Sequence, residues 1–147
     1  MTSTTRNDRR ARRWLAAVGA WAFAYGLRGI LWHQLTDRDH DRAAHVRTFA
    51  ERHPATVTAR VGTFIAFPIE VAALAAMLFM MRSAWPIALL IAYGMLCGFR
   101  WYRWRVNAVI VAPKPRFFIL LHEYYDAFLP IGVLVASALA HPLDWIV

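Results

Sequence analysis

Four ionisable side chains sit where an apolar chain should have none. Glu70 lies in the middle of the apolar run VGTFIAFPIEVAALAAMLFMM, and His122, Glu123 and Asp126 occupy about one turn of FFILLHEYYDAFLPIGVLVASALA. Ionisable groups at membrane depth are expensive, face a bundle interior and mark functional sites. Burial raises a carboxyl pKa and a neighbouring arginine lowers it, so such a group can hold a general acid and a general base of different strength. Glu70, Glu123, Asp126 and His122 are therefore the candidate catalytic residues. At i,i+3 and i,i+4 spacing the last three share one side of a helix, where Tyr124 and Tyr125 can donate to them.

A second constellation supplies the cations. FRWYRWRVN, residues 99–107, interleaves Arg100 and Arg103 with Trp101, Tyr102 and Trp104, and Asn107 follows at helical spacing. It reads either as an interfacial helix end, with aromatic residues at the headgroups and arginines snorkelling to phosphates, or as a cationic, aromatic-walled vestibule. Arg28 near the end of the first apolar run is open in the same way, as a snorkelling residue or an inward counter-ion for a buried acid. Arg28, Arg100, Arg103, Trp101, Trp104, Tyr124, Tyr125 and Asn107 make up the candidate substrate-binding set. The tail of an amphiphile would lie along Phe64, Phe67, Trp101, Phe118 and Tyr125.

HEYYD does not make a metal site. The zinc-helix signature needs a second histidine where this chain has Asp126, and an acidic motif for Mg²⁺ and a diphosphate would have to repeat. Neither a metal nor a cofactor is expected. With Cys97 as the single cysteine, disulfide exchange is excluded as a mechanism.

The elements that must position these groups are membrane helices. The chain has 147 residues, 59% of them hydrophobic, with a mean hydropathy of +0.37. Four apolar stretches approach the ~20 residues a spanning helix needs, at about 14–35, 61–81, 85–105 and 117–140. The expected fold is all-α, an integral membrane four-helix bundle in one domain (14–147), preceded by a disordered basic tail (1–13). A short amphipathic helix is expected on the membrane surface between the first and second spans. Gly19, Ala20, Ala22, Ala24 and Gly26 give the first span a small-residue packing face. Pro68, Pro130 and Gly132 are expected to kink their helices, Pro113 and Pro115 to force an extended turn around Lys114, and Trp145 to end the chain at the interface. The net charge of +8 is interleaved with the spans rather than spread over a soluble face, which excludes nucleic-acid binding. Lysine and arginine number ten in the first and third loops against six in the tail and second loop, which places both chain ends outside, whereas the dense basic tail beside the first span favours both ends in the cytoplasm. The chain is expected in a bacterial cytoplasmic membrane.

The order of a first helix ending near Arg28, an amphipathic connection to Pro54, VGTFIAFPIEVAALAAML and a tight turn resembles the DoxX/DoxD/MauE-like group of small four-helix membrane proteins, over about residues 20–100. Gly62 and Glu70 would occupy that group's glycine and glutamate, whereas the Arg/Trp stretch and HEYYD lie outside its pattern. The resemblance implies quinone-level electron transfer, or assembly and support of redox proteins. Three functions are open to the chain. One is a pocket that binds an isoprenoid, quinone or other lipid and transforms it by acid–base chemistry, as an isomerase, cyclase or hydrolase. The second is a non-catalytic accessory subunit of a membrane redox complex. The third is a proton-coupled transporter that uses the same carboxylates as a relay and needs a dimer. The partners expected are membrane lipids and a lipophilic small molecule, with a homodimer or larger membrane complex compatible with each.

Overall fold

The computed structural model describes residues 2–112 and 115–140. Pro113, Lys114 and Trp145, and the turn and interface roles expected of them, lie outside the described residues. The chain divides into two compact units, residues 1–80 with 110–113, and residues 81–109 with 114–147.

In the first unit, helix α1 (Thr2–Thr36) runs unbroken through the basic segment expected to be disordered. The segment holds neither proline nor glycine, and its arginines are good helix formers. Arg10 donates from Nη2 to the carbonyl of Met80 at 3.1 Å. The inward face of α1 is Ala24, Arg28 and Leu31, spaced as one helical stripe. Of the small-residue face only Ala24 is buried; a Cβ on Gly19 or Gly26 would meet nothing within 4 Å.

The single surface helix expected next is two short ones, α2 (Arg38–Ala43) and α3 (Phe49–Arg52). His45 between them has φ 55°, and Thr48 restarts the chain as an N-cap, its Oγ accepting from Glu51 N–H at 3.2 Å. Pro54 ends α3 and opens α4 (Ala55–Met81), which contains a π turn at Gly62–Ala66. The turn closes with Phe67 N–H on the Gly62 carbonyl, just before Pro68, whose ring would otherwise crowd the preceding turn. Thr58, Gly62, Ala66 and Glu70 all lie on the buried stripe of α4, so Glu70 continues a line of small residues that lets α1 approach.

Gly62 faces Val111, and a Cβ placed there would overlap Val111 Cγ2 and stand 3.2 Å from its Cβ. Residues 110–112, part of an apolar stretch too short to span, thus pack as part of this unit, with Val111 fully buried.

In the second unit, Ser83 caps helix α5 (Ala84–Trp104), its Oγ accepting from Trp85 N–H at 3.4 Å. Arg105, at φ 55°, turns the chain out of the helix. The fold is not purely helical. β1 (Asn107–Val109) pairs in parallel with β2 (Phe117–Ile119), in the register Asn107 with Phe117 and Val109 with Ile119. The fourth span therefore does not begin at 117. Leu121 takes φ 66°, and the helix α6 (Tyr124–Ala140) begins with a second π turn, Tyr124–Phe128, placed two residues before Pro130 as the first is before Pro68. Gly132 packs face to face with α5: a Cβ there would come within 2.9 Å of Pro86 Cα.

Among the described residues three helices, Asp8–Thr36, Ala55–Met81 and Ala84–Trp104, are long and apolar enough to cross a membrane. α6 is apolar but shorter, because three residues of the expected span went to the strand pair and the next four lead through the turn at Leu121. The helices support a membrane protein, with three candidate spans where four were expected.

Candidate functional sites: two arginine–glutamate pairs

Arg28 is central on the inward stripe of α1 and Glu70 on that of α4, so the packing of the two helices brings them together. Arg28 Nε and Nη2 grip the two carboxylate oxygens of Glu70 at 2.6 and 2.9 Å. The side chains are 2% and 0% exposed. The remaining nitrogen, Nη1, donates to the carbonyl of Ile110 at 3.0 Å. Tyr25 and Phe67 flank the guanidinium, each with its ring centre 5.7 Å away. Arg28 is thus the inward counter-ion, not a snorkelling residue. With both Glu70 oxygens on one cation and all three nitrogens of Arg28 occupied, the pair holds α1, α4 and the 110–112 segment together.

The second unit has a pair of the same residue types with different geometry. Arg100, four residues from the end of α5, directs only Nη1 at Glu123, reaching both carboxylate oxygens at 2.7 and 2.6 Å. The side chains are 25% and 40% exposed. Phe118 of β2 lies against the guanidinium, its ring centre 5.6 Å away. Among the described residues nothing accepts a hydrogen bond from Arg100 Nε or Nη2, and neither atom is buried. This is the edge that Arg28 uses to grip a carboxylate.

His122 Nε2 lies 3.3 Å from Asp126 Oδ2, with side chains 49% and 58% exposed. The predicted spacing therefore makes a local pair at the mouth of the hairpin. Among the described residues no group of three His, Cys, Asp or Glu side chains gathers as a metal would require.

The remaining predicted residues divide by burial. Tyr124 and Tyr125 are buried. Tyr124 Oη donates to the Pro86 carbonyl at 2.9 Å, so it ties α6 to α5 instead of donating to the acids. Asn107 is half-buried, and its Nδ2 reaches the Pro115 carbonyl at 3.4 Å across the strand pair. Trp101, Arg103 and Trp104 are exposed. The aromatic wall is split in the same way: Phe67 packs on Arg28 and Phe118 on Arg100, whereas Phe64 is exposed.

Tyr93 was not singled out from the sequence. It is 2% exposed, and its hydroxyl accepts the Leu121 N–H at 3.0 Å. That bond satisfies a backbone donor in the turn leading to Glu123, so Tyr93 positions the pair. The available signal was a lone tyrosine within an apolar helix, since a buried phenol needs a partner.

Compared with known proteins, the chain matches no family model, no curated protein and no solved structure.

Proposed function

We propose that the chain is an integral protein of the bacterial cytoplasmic membrane that holds the polar head of an amphiphile, an isoprenoid, quinone or other lipid, at Arg100 in the α5–α6 hairpin. The observation that carries this reading is the contrast between the two arginines. Arg28 has every nitrogen satisfied and is buried, as a structural ion pair must be. Arg100 is accessible, is bonded through one nitrogen, and presents a free two-nitrogen edge suited to oxygen acceptors. Exposed Phe99, Trp101, Tyr102 and Trp104 on the same helix end supply apolar contact for a tail.

Acid–base chemistry on the bound head is open to Glu123, His122 and Asp126, all of them accessible beside the same turn. Glu70 is engaged with Arg28 and acts as a holding residue.

The test is mass spectrometry of small molecules retained after purification in a mild detergent. The wild type is expected to carry an amphiphile in stoichiometric amount, and Arg100→Ala to lose it. A protein that carries no small molecule and instead brings down a defined membrane partner would replace this reading with the accessory-subunit one, which the DoxX-like order of residues 20–100 also suggests.

A further inference from the structure

We infer that the head recognised at Arg100 is a phosphate or diphosphate group, docked on the free Nε–Nη2 edge while Glu123 stays on Nη1. This rests on the proposed amphiphile site and narrows it to phosphorylated amphiphiles, leaving out neutral heads such as a quinone.

Geometry is the first argument. A guanidinium edge with two parallel N–H groups matches a phosphate or carboxylate oxygen pair, and the Arg28–Glu70 contact shows this chain making that fork with a carboxylate. On Arg100 the equivalent edge is accessible and has no acceptor among the described residues. Glu123 does not block it, because both Glu123 oxygens are on Nη1. Phe118 lies against the guanidinium and limits how far it can swing.

Charge is the second, and it separates phosphate from carboxylate. Among the described residues the hairpin end carries Arg100, Arg103, Arg105 and Arg116, four cations, against Glu123 and Asp126, two carboxylates, which leaves two positive charges before Lys114 of the same connection is counted. Arg105 stays at this end, its guanidinium 5.6 Å from the Trp101 ring centre. Arg116 is brought here by the strand pair, its carbonyl accepting the Asn107 N–H at 2.8 Å. A surplus of at least two cations accommodates a phosphate or diphosphate, is at most half-used by a carboxylate, and is left uncompensated by a neutral head.

The experiment is a titration of the full chain in dodecyl maltoside, read by tryptophan fluorescence, with farnesyl phosphate, farnesol and inorganic phosphate as probes. Farnesyl phosphate is expected to bind, with farnesol about tenfold weaker or worse, as for loss of charge-assisted hydrogen bonds. Arg100→Lys keeps the charge but not the fork, so it should also bind farnesyl phosphate about tenfold more weakly. Glu123→Gln, which removes a negative charge beside the phosphate, should bind it at least as tightly as the wild type. Raised salt should weaken binding to the accessible site.

Farnesol binding as tightly as farnesyl phosphate would overturn the phosphate inference and leave the amphiphile reading standing. Inorganic phosphate binding as tightly as farnesyl phosphate would do the reverse, pointing to a soluble phosphate source. Arg100→Lys equal to the wild type would overturn the edge as the recognition element. Binding of none of the three would remove both readings.

Discussion

Removing either partner of the Arg28–Glu70 pair should destabilise the protein far more than removing both. In the intact protein each charge is compensated by the other through a two-point contact at 2.6 and 2.9 Å, with almost no solvent reaching either side chain. Breaking such a pair leaves one buried charge and costs about 3–5 kcal/mol. The two halves are not equivalent. A glutamate left alone can take up a proton, whereas an arginine cannot lose one, so Glu70→Met should be the worse single variant. Arg28→Met adds a smaller loss, because the Ile110 carbonyl forfeits its donor. For a chain of this size each kcal/mol is worth about 2–4 °C, so the single variants should melt about 6–20 °C below the wild type. Arg28→Met with Glu70→Met replaces the pair by apolar side chains and should recover much of that loss, so the coupling in the double-mutant cycle should be at least about 3 kcal/mol, the size of one single-variant loss. The assay is thermal unfolding in detergent followed by tryptophan fluorescence. Additive single effects, or a Glu70→Met shift below about 2 °C, would refute the pin. An unmoved melting temperature together with lost ligand retention would return Glu70 to a chemical role.

Two close approaches and one hydrogen bond make three further predictions, each read by the same melting assay. Gly62→Ala places a methyl into Val111 and should cost about 1–3 kcal/mol as overpacking, and adding Val111→Ala should restore part of it; no rescue would mean that the clash lies elsewhere. Gly132→Ala meets the backbone of Pro86 rather than a side chain, so it should be destabilising with no comparable single-site rescue on α5. Tyr93→Phe removes the acceptor of a buried Leu121 N–H and should cost about 1–3 kcal/mol, while loosening the turn that presents Glu123 and weakening ligand retention.

The long helices were legible because their signal is additive. Residues 14–35, 61–81 and 85–105 each carry enough apolar length to read as spans; the first two fall within helices of the structure, and the third overruns its helix by one residue, at Arg105. The last span was over-read at its start because an apolar run of a few residues does not distinguish helix from strand. The decision at Phe117–Ile119 is made by pairing with Asn107–Val109, and a three-residue strand has no periodicity of its own to show. The surface segment failed for a different reason: its helical spacing is real, but His45 in the left-handed region and the Thr48 cap split it. At the sites, residue type was legible and partnership was not. Arg28, Glu70, Arg100 and Glu123 all stand out by being charged in apolar surroundings, yet which arginine meets which glutamate depends on helix packing and on where the chain turns.

What separates a structural pair from a binding pair here is hydrogen-bond satisfaction, not burial or residue type alone. Arg28 meets a carboxylate fork and a backbone carbonyl, so a ligand could gain access to it only by breaking contacts that hold the first unit together. Arg100 meets its glutamate through a single nitrogen. It sits where Phe118 and the Tyr93-supported turn fix its surroundings without saturating it. A site that must take up and release an anion needs that combination, because an edge already filled must be vacated at a cost of several kcal/mol, whereas an open edge on a restrained side chain has little left to rearrange. On that ground Arg100 is the residue from which the ligand should be sought, and Arg28 a residue whose loss should destabilise the first unit.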